Sequence, residues 1–288
     1  MHRRFGNHSQ AVAGVIEALL MVALVSIVIS TIQLVYIPQV MEQKESEHMD
    51  LVSNQLSTLK SMIDLQGMTK SSAPISSMVT LGSRDLPYFI TAKAYGGISV
   101  KQNPKYNVTV FMPLLHFPSG VPLTSIQYDA DNSYFIDQSY ILEGGGLIVQ
   151  QPDGTPVMRA DPSIAAHWKD SNTITINFNL TKVVAIAGKN QTYGEGNCFI
   201  RTNYSSNIKD SETLVPGEYI HIYTAYPNAW NESLYNLIGD YANHGYIQIL
   251  SHTALPTSYI EIKPVNKSID FQLNINTIYV QIGQGWVN

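Results

Sequence analysis

From residue 11 to residue 37 the chain reads AVAGVIEALLMVALVSIVISTIQLVYI, about 27 residues with Glu17 as the one charged group. Roughly 20 such residues suffice for a helix to cross hydrocarbon. The run is longer than a secretory signal core and continues into a polar helix instead of a small-residue cleavage site, so a retained transmembrane helix is expected. Pro38 is expected to interrupt or kink this helix, since it lacks a backbone donor and crowds the preceding turn. Beyond it, Val52, Leu56, Leu59 and Ile63 recur at helical spacing, with Glu45, Glu47, Asp50, Asn54, Lys60 and Asp64 on other faces. That pattern predicts an amphipathic stalk helix over 38–66. Its apolar stripe packs either on the chain's own globular domain or between subunits. Residues 67–83 are rich in Ser, Gly and Pro without periodicity, which reads as a linker or an irregular lead-in and places a domain boundary there.

In the remainder, 84–288, short β-branched and aromatic runs fall at 88–93, 107–112, 133–142, 147–151, 173–180, 218–223, 246–250, 259–263 and 268–282. Such runs between turn residues read as antiparallel strands. The glycines at 144–146 and Asp153 with Gly154 mark two successive hairpin turns, making 133–159 a meander. One helix, at about 229–244, is predicted by Trp230, Leu234, Leu237, Ile238 and Tyr241, with Asn228 as cap and Gly245 ending it. The predicted fold is mainly β: a long N-terminal transmembrane and stalk helix, then an antiparallel β-sandwich-like outer domain with one packed helix.

Charge fixes the orientation. Arg3 and Arg4 precede the apolar run, and Glu42, Glu45 and Glu47 follow it against Lys44 alone, so residues 1–10 are expected in the cytoplasm and everything past the helix outside. The net charge of −5 and the scatter of 17 Lys and Arg leave no basic face for phosphates, so no nucleic-acid partner is expected. The single cysteine, Cys198, has no intramolecular disulfide partner and reads as a buried apolar side chain. Six sequons lie on the side expected outside, at Asn107, Asn179, Asn190, Asn203, Asn231 and Asn266, and make a glycosylated surface the expectation. Asn7 also fits the pattern but lies inside.

Motifs for chemistry are missing from the sequence. It contains no H-E-x-x-H, G-x-S-x-G, Walker loop, dinucleotide fingerprint or C-x-x-C. His116, His167, His221, His244 and His252 are dispersed, and Asp129, Asp131 and Asp137 read as a solvated acidic turn rather than a cation loop. No enzyme activity, cofactor or metal is expected.

Glu17 costs on the order of 3 kcal/mol inside hydrocarbon. It either faces a partner within the membrane or snorkels to the cytoplasmic interface. The string AVAGVIEALLMVALVSIVIS resembles the N-terminal domain of archaeal type IV pilins and archaellins, over about the first 30 residues. The pieces YFIDQSYILEGGGLIVQQ and PVMRADPSI resemble, less specifically, the outer domains of archaeal pilin-like membrane proteins. The resemblance implies a basic stretch at Arg3 and Arg4, leader cleavage after Gly6, and bundling of the freed helices through Glu17, Leu20, Val25 and Ile29 into a filament core. A cut after Gly6 places Glu17 eleventh. One after Val12 would place it fifth, where the broader pilin family often carries its glutamate. The implied function is a structural subunit or accessory of a surface filament, self-associating and in contact with membrane and other surface proteins. The alternative is a membrane-tethered binding or anchoring module, including a filament-motor anchor, or an ectoenzyme with a deep polar pocket.

Overall fold

The computed structural model of the chain describes residues 8–82, 94–101, 108–111, 120–186, 188–253 and 258–283. Helical backbone runs unbroken from α1 (His8–Thr31) through one π-helical stretch (Ile32–Tyr36) into α2 (Ile37–Thr69). Pro38 therefore does not end the helix. It offers no N–H to the carbonyl of Leu34, and its ring crowds that group. The turn before it is widened to i→i+5 bonding, with the Ile37 N–H on Ile32 O, which is how an α-helix absorbs such a misfit. The helix stops at Lys70, in the left-handed region at φ 51°, whose N–H bonds Gln66 O. Residues 67–83, expected to be a linker, instead hold the last turn of α2 and strand β1 (Ile75–Thr80).

Strands are numbered in chain order. The first sheet joins β1, β12 (Asn197–Leu214), β16 (Ser268–Ile282), β10 (Thr173–Ala185) and β9 (Ser163–Trp168), in that order. The second has the order β11 (Gln191–Gly194), β2 (Tyr95–Lys101), β5 (Ser125–Asp131), β6 (Ser139–Glu143), β7 (Gly146–Gln150) and β8 (Val157–Ala160). The third runs β14 (Ile247–His252), β15 (Tyr259–Pro264), β13 (Ile220–Tyr223), β3 (Val108–Phe111) and β4 (Val121–Leu123). Pairing is antiparallel except between β10 and β16, which run parallel in register Thr173 with Ser268. The expected meander is present as β6, β7 and β8, its first turn made by Gly144 and Gly145 at φ 60° and 90°. Two positive φ values are what a two-residue type I′ hairpin requires. The run 88–93 lies outside the described residues.

Two cores share the first sheet from opposite faces. In β16, Ile269, Phe271, Leu273 and Ile275 enter one cluster, whereas Ile278, Val280 and Ile282 enter the other. The phase of the alternation changes by one residue between Ile275 and Ile278, and with a side-chain period of two that moves burial to the other face. Strand β10 makes the same switch, from Ile174, Ile176, Phe178 and Leu180 to Val183. In β12 the buried residues keep one phase, because a register shift between Tyr204 and Ser206 supplies the odd residue as a bulge. The first core is closed by the third sheet and by α3 (Pro227–Asn243), through Trp230, Leu234 and Ile238. Tyr226, not Asn228, occupies the N-cap position of α3, because Pro227 fits the first helical turn, where an N–H has no partner. Gly245 follows the helix at φ 72°, as expected.

The second core is closed by α2 and the second sheet. Val52, Leu56, Leu59 and Ile63 are buried in it, against Val79, Ile98, Ile126, Ile278 and Val280. The stripe therefore packs on the chain's own domain, and α2 is a core helix of the head rather than a free stalk. Its polar residues pin the backbone of the first sheet. Gln55 accepts from Thr80 N at 2.8 Å, and buried Gln66 donates to the carbonyls of Ala73 and Thr202, each at 3.0 Å. Gly67 lies so close to the Asn276 side chain that a Cβ there would sit 2.9 Å from its Nδ2.

Candidate functional site

The one large apolar surface among the described residues is α1. Every residue from 12 to 36 is exposed, Leu20 at 66%, and Val25 and Ile29 stand uncovered with it. This stretch measures about 37 Å at 1.5 Å per residue, long and apolar enough to cross a membrane. Two of its hydroxyls are satisfied within the helix: Ser26 donates to Val22 O at 2.8 Å and Thr31 to Ile27 O at 2.9 Å, so neither carries an open donor into an apolar medium. Glu17 is the one charged group of the stretch. Its carboxylate is exposed on the helix surface among Ala13, Ile16, Leu20, Met21 and Leu24. Gly6, the expected cleavage position, lies outside the described residues.

At the start of α2 the apolar Ile37 and Met41 are buried, and from Glu45 onward the head closes on the helix through polar contacts. Glu45 is 0% exposed and accepts three backbone N–H groups, from Ser133 at 3.1 Å and from Tyr134 and Phe135 at 2.7 Å. These donors lie at the apex of the β5–β6 hairpin, since the pairing of Asp129 with Ser139 centres the turn on Tyr134, and the strand expected over 133–142 accordingly begins only at Ser139. One turn further, His48 Nε2 lies 3.3 Å from both Leu81 O and Tyr128 Oη, and burial holds its pKa below the ordinary histidine value. Tyr140 Oη donates to Met49 O at 3.1 Å.

The sequons differ in access. Asn179 on β10 and Asn266 in the turn before β16 are exposed, while Asn190, Asn203 and Asn231 are half-buried, and Asn107 lies outside the described residues. Asn179 belongs to an amide ladder on the polar face of the first sheet. Asn207 donates to Asn274 and, at 3.0 Å, to Asn276, and Asn274 donates to Asn179 Oδ1 at 2.9 Å.

The titratable groups gather in small clusters, and Glu261 sits between His221 and Lys263, its Oε1 3.2 Å from Lys263 Nζ. His221 Nε2 lies 3.0 Å from Glu261 Oε2, beneath Tyr219 and Tyr259 rings at 4.2 and 4.4 Å. Asp129 accepts from Gln127 at 2.7 Å and Ser139 at 2.6 Å, and Asp137 accepts from Asn132 N, so Asp137 faces its own loop rather than Asp129. His167 and His244 are exposed and separate, and His116 lies outside the described residues. Among the described residues no three His, Cys, Asp or Glu side chains gather at metal-holding distance.

Glu143 escaped the sequence reading. It ends β6 inside the first core, where its Oε1 accepts from Trp230 Nε1 at 2.7 Å and Thr224 Oγ1 at 2.8 Å. Burial pushes its pKa up to about 7, against the lowering effect of those two donors. Its position in an apolar run immediately before three glycines is the only signal the sequence offers.

No family model, no curated protein and no solved structure matches this chain.

Proposed function

We propose that the chain is a structural subunit or accessory of a type IV pilus-like surface filament, held in the membrane before assembly and joined to its neighbours through α1. One observation carries this reading: a single continuous helix is buried against the head along α2 and left uncovered and apolar along α1. Leaving some 25 apolar residues in water is untenable at about 25 cal/mol per Å². Lipid serves before assembly, and copies of the same helix serve after it.

The basic pair Arg3 and Arg4 assigns the N-terminus to the cytoplasm and the head to the outside. The layers on the two faces of the first sheet are read as a sandwich-like outer domain, with Asn179 and Asn266 the sequons best placed for glycans. Glu17 is the residue with an assembly role. In a helix bundle its carboxylate is satisfied by a neighbouring chain, which offsets the cost of its place in lipid.

The test is Glu17→Leu. Assembly is expected to fall while membrane insertion and head folding are retained, measured as filament or oligomer yield at matched membrane levels. Unchanged yield would overturn the assembly role and leave a membrane-tethered binding or anchoring module.

A further inference from the structure

The head carries a ring of exposed aromatic and apolar side chains on the end that faces α1. The β5–β6 hairpin points that way: Tyr140, at the base of its second strand, bonds Met49 O, and its tip is clamped one turn nearer α1, on Glu45. The tip presents Tyr134 at 37% exposure and Ile136 at 55%. Beside the tip, Tyr95 pairs across strands with Asp131 and is 38% exposed, and Tyr193 is 63% exposed with its hydroxyl donating to Asp131 Oδ2 at 2.9 Å. The two rings lie nearly parallel, 10° apart, with centroids 5.9 Å from each other. Gly97 makes room, since a Cβ there would come 3.1 Å from the Tyr193 ring. Four large side chains from three separate segments thus share one end of the domain, the hairpin tip held through its backbone by Glu45, Tyr193 through its hydroxyl, and Tyr95 by stacking on Tyr193.

The geometry points to this rim as a contact with the lipid headgroup layer, resting on the reading of α1 as a membrane span but not on filament assembly. Tyrosine, like tryptophan, is enriched at such a boundary, with an apolar body and a polar tip. The height fits. Glu45 lies nine residues past Tyr36, about 13 Å along the axis. Headgroups fill roughly the first 5 to 8 Å beyond the hydrocarbon. Side chains hanging from the hairpin tip close the remaining distance.

Glu42, Asp131 and Asp137 are exposed in the segments that carry or adjoin this rim, and Glu47 beside them is paired with Lys44 at 2.9 Å, which leaves an acidic excess. Carboxylates are costly in hydrocarbon, so they stop the rim at headgroup depth and favour neutral over anionic lipid. Because α1 continues into α2 inside the head, the contact fixes the tilt of helix and head together against the membrane normal.

The experiment uses the full chain in vesicles of zwitterionic lipid, with Cys198→Ala and one spin-labelled cysteine at a time: Leu24→Cys, Ile136→Cys, Tyr193→Cys, and Asn266→Cys at the far end of the head. Accessibility to oxygen and to a water-soluble nickel complex gives the depth of each label. Expected are a hydrocarbon depth at 24, a headgroup depth at 136 and 193, and free solution at 266. Should 24 lie in hydrocarbon and 136 and 193 be as aqueous as 266, the rim contact is overturned and the span stands. An aqueous label at 24 overturns the span and the rim contact together. Immobile labels at 136 and 193, shielded from both reagents, overturn lipid contact in favour of a second copy of the chain.

Discussion

Trp230 and Glu143 meet inside the first core, where the indole N–H donates to a carboxylate oxygen at 2.7 Å. The bond ties α3 to the end of β6, and so joins the helix over the third sheet to the second sheet. It also places a titratable acid where no charge is welcome.

Stability should therefore fall as pH rises through the range in which Glu143 ionises. Below pH 4.5 both the folded and unfolded chains hold the proton. Between 4.5 and about 7 only the folded chain keeps it, so stability declines, and above that the loss is complete. The full decline is about 3 kcal/mol. Glu143→Gln retains an acceptor for Trp230 and Thr224 and removes the titration. Urea melts in detergent from pH 4 to pH 8 should slope downward for the wild type and stay flatter for the variant, and parallel curves would refute the assignment.

Glu45→Ala should release the β5–β6 tip without unfolding the head. Three backbone donors lose a charged acceptor, at about 1–3 kcal/mol for each group left unsatisfied and less where water reaches it. Hydrogen exchange is the sensitive readout. Amides of Tyr134 and Phe135 should lose protection while those of β16 keep theirs. Protection that survives the change would mean that the loop is held by something other than the carboxylate.

A chain shortened to begin at Ile37 should be soluble, monomeric and folded, since it keeps α2 and β1 and sheds only the uncovered helix. One that begins at residue 83 should fail. It loses Val52, Leu56, Leu59 and Ile63 from the second core, each worth about 1.5–3 kcal/mol, against a total stability of about 5–15 kcal/mol. Circular dichroism and size exclusion decide between them, and a well-folded monomer from the shorter chain would show that α2 is dispensable.

Cys198 should resist thiol reagents in the native head and react in denaturant. The side chain is buried in the second core, and burial raises its pKa, which leaves little thiolate. Rapid native labelling would mean that the β12 end of the sheet opens readily.

Features with a local cause were legible in the sequence. The long apolar run, the period of Val52, Leu56, Leu59 and Ile63, and the β-branched and aromatic run over 268–282 each follow from one element's own geometry, and α1, α2 and β16 stand where those patterns put them. The Gly144 and Gly145 turn was readable for the same reason, because only positive φ closes a two-residue hairpin. What covers each pattern is a matter of partners distant in sequence. An apolar stripe reads alike whether a sheet of the same chain or another subunit buries it, and only the packing against Val79 and Ile278 assigned it to the head. Pro38 looked like a break because propensity knows nothing of the π-turn that absorbs it. Glu45 looked like a solvated stalk residue because its three donors lie some ninety positions later. Tyr95, Tyr134 and Tyr193 form a rim only once three strands and a helix are registered together. Burial and hydrogen bonding between distant segments depend on the assembled tertiary structure, and no window of neighbouring residues contains that information.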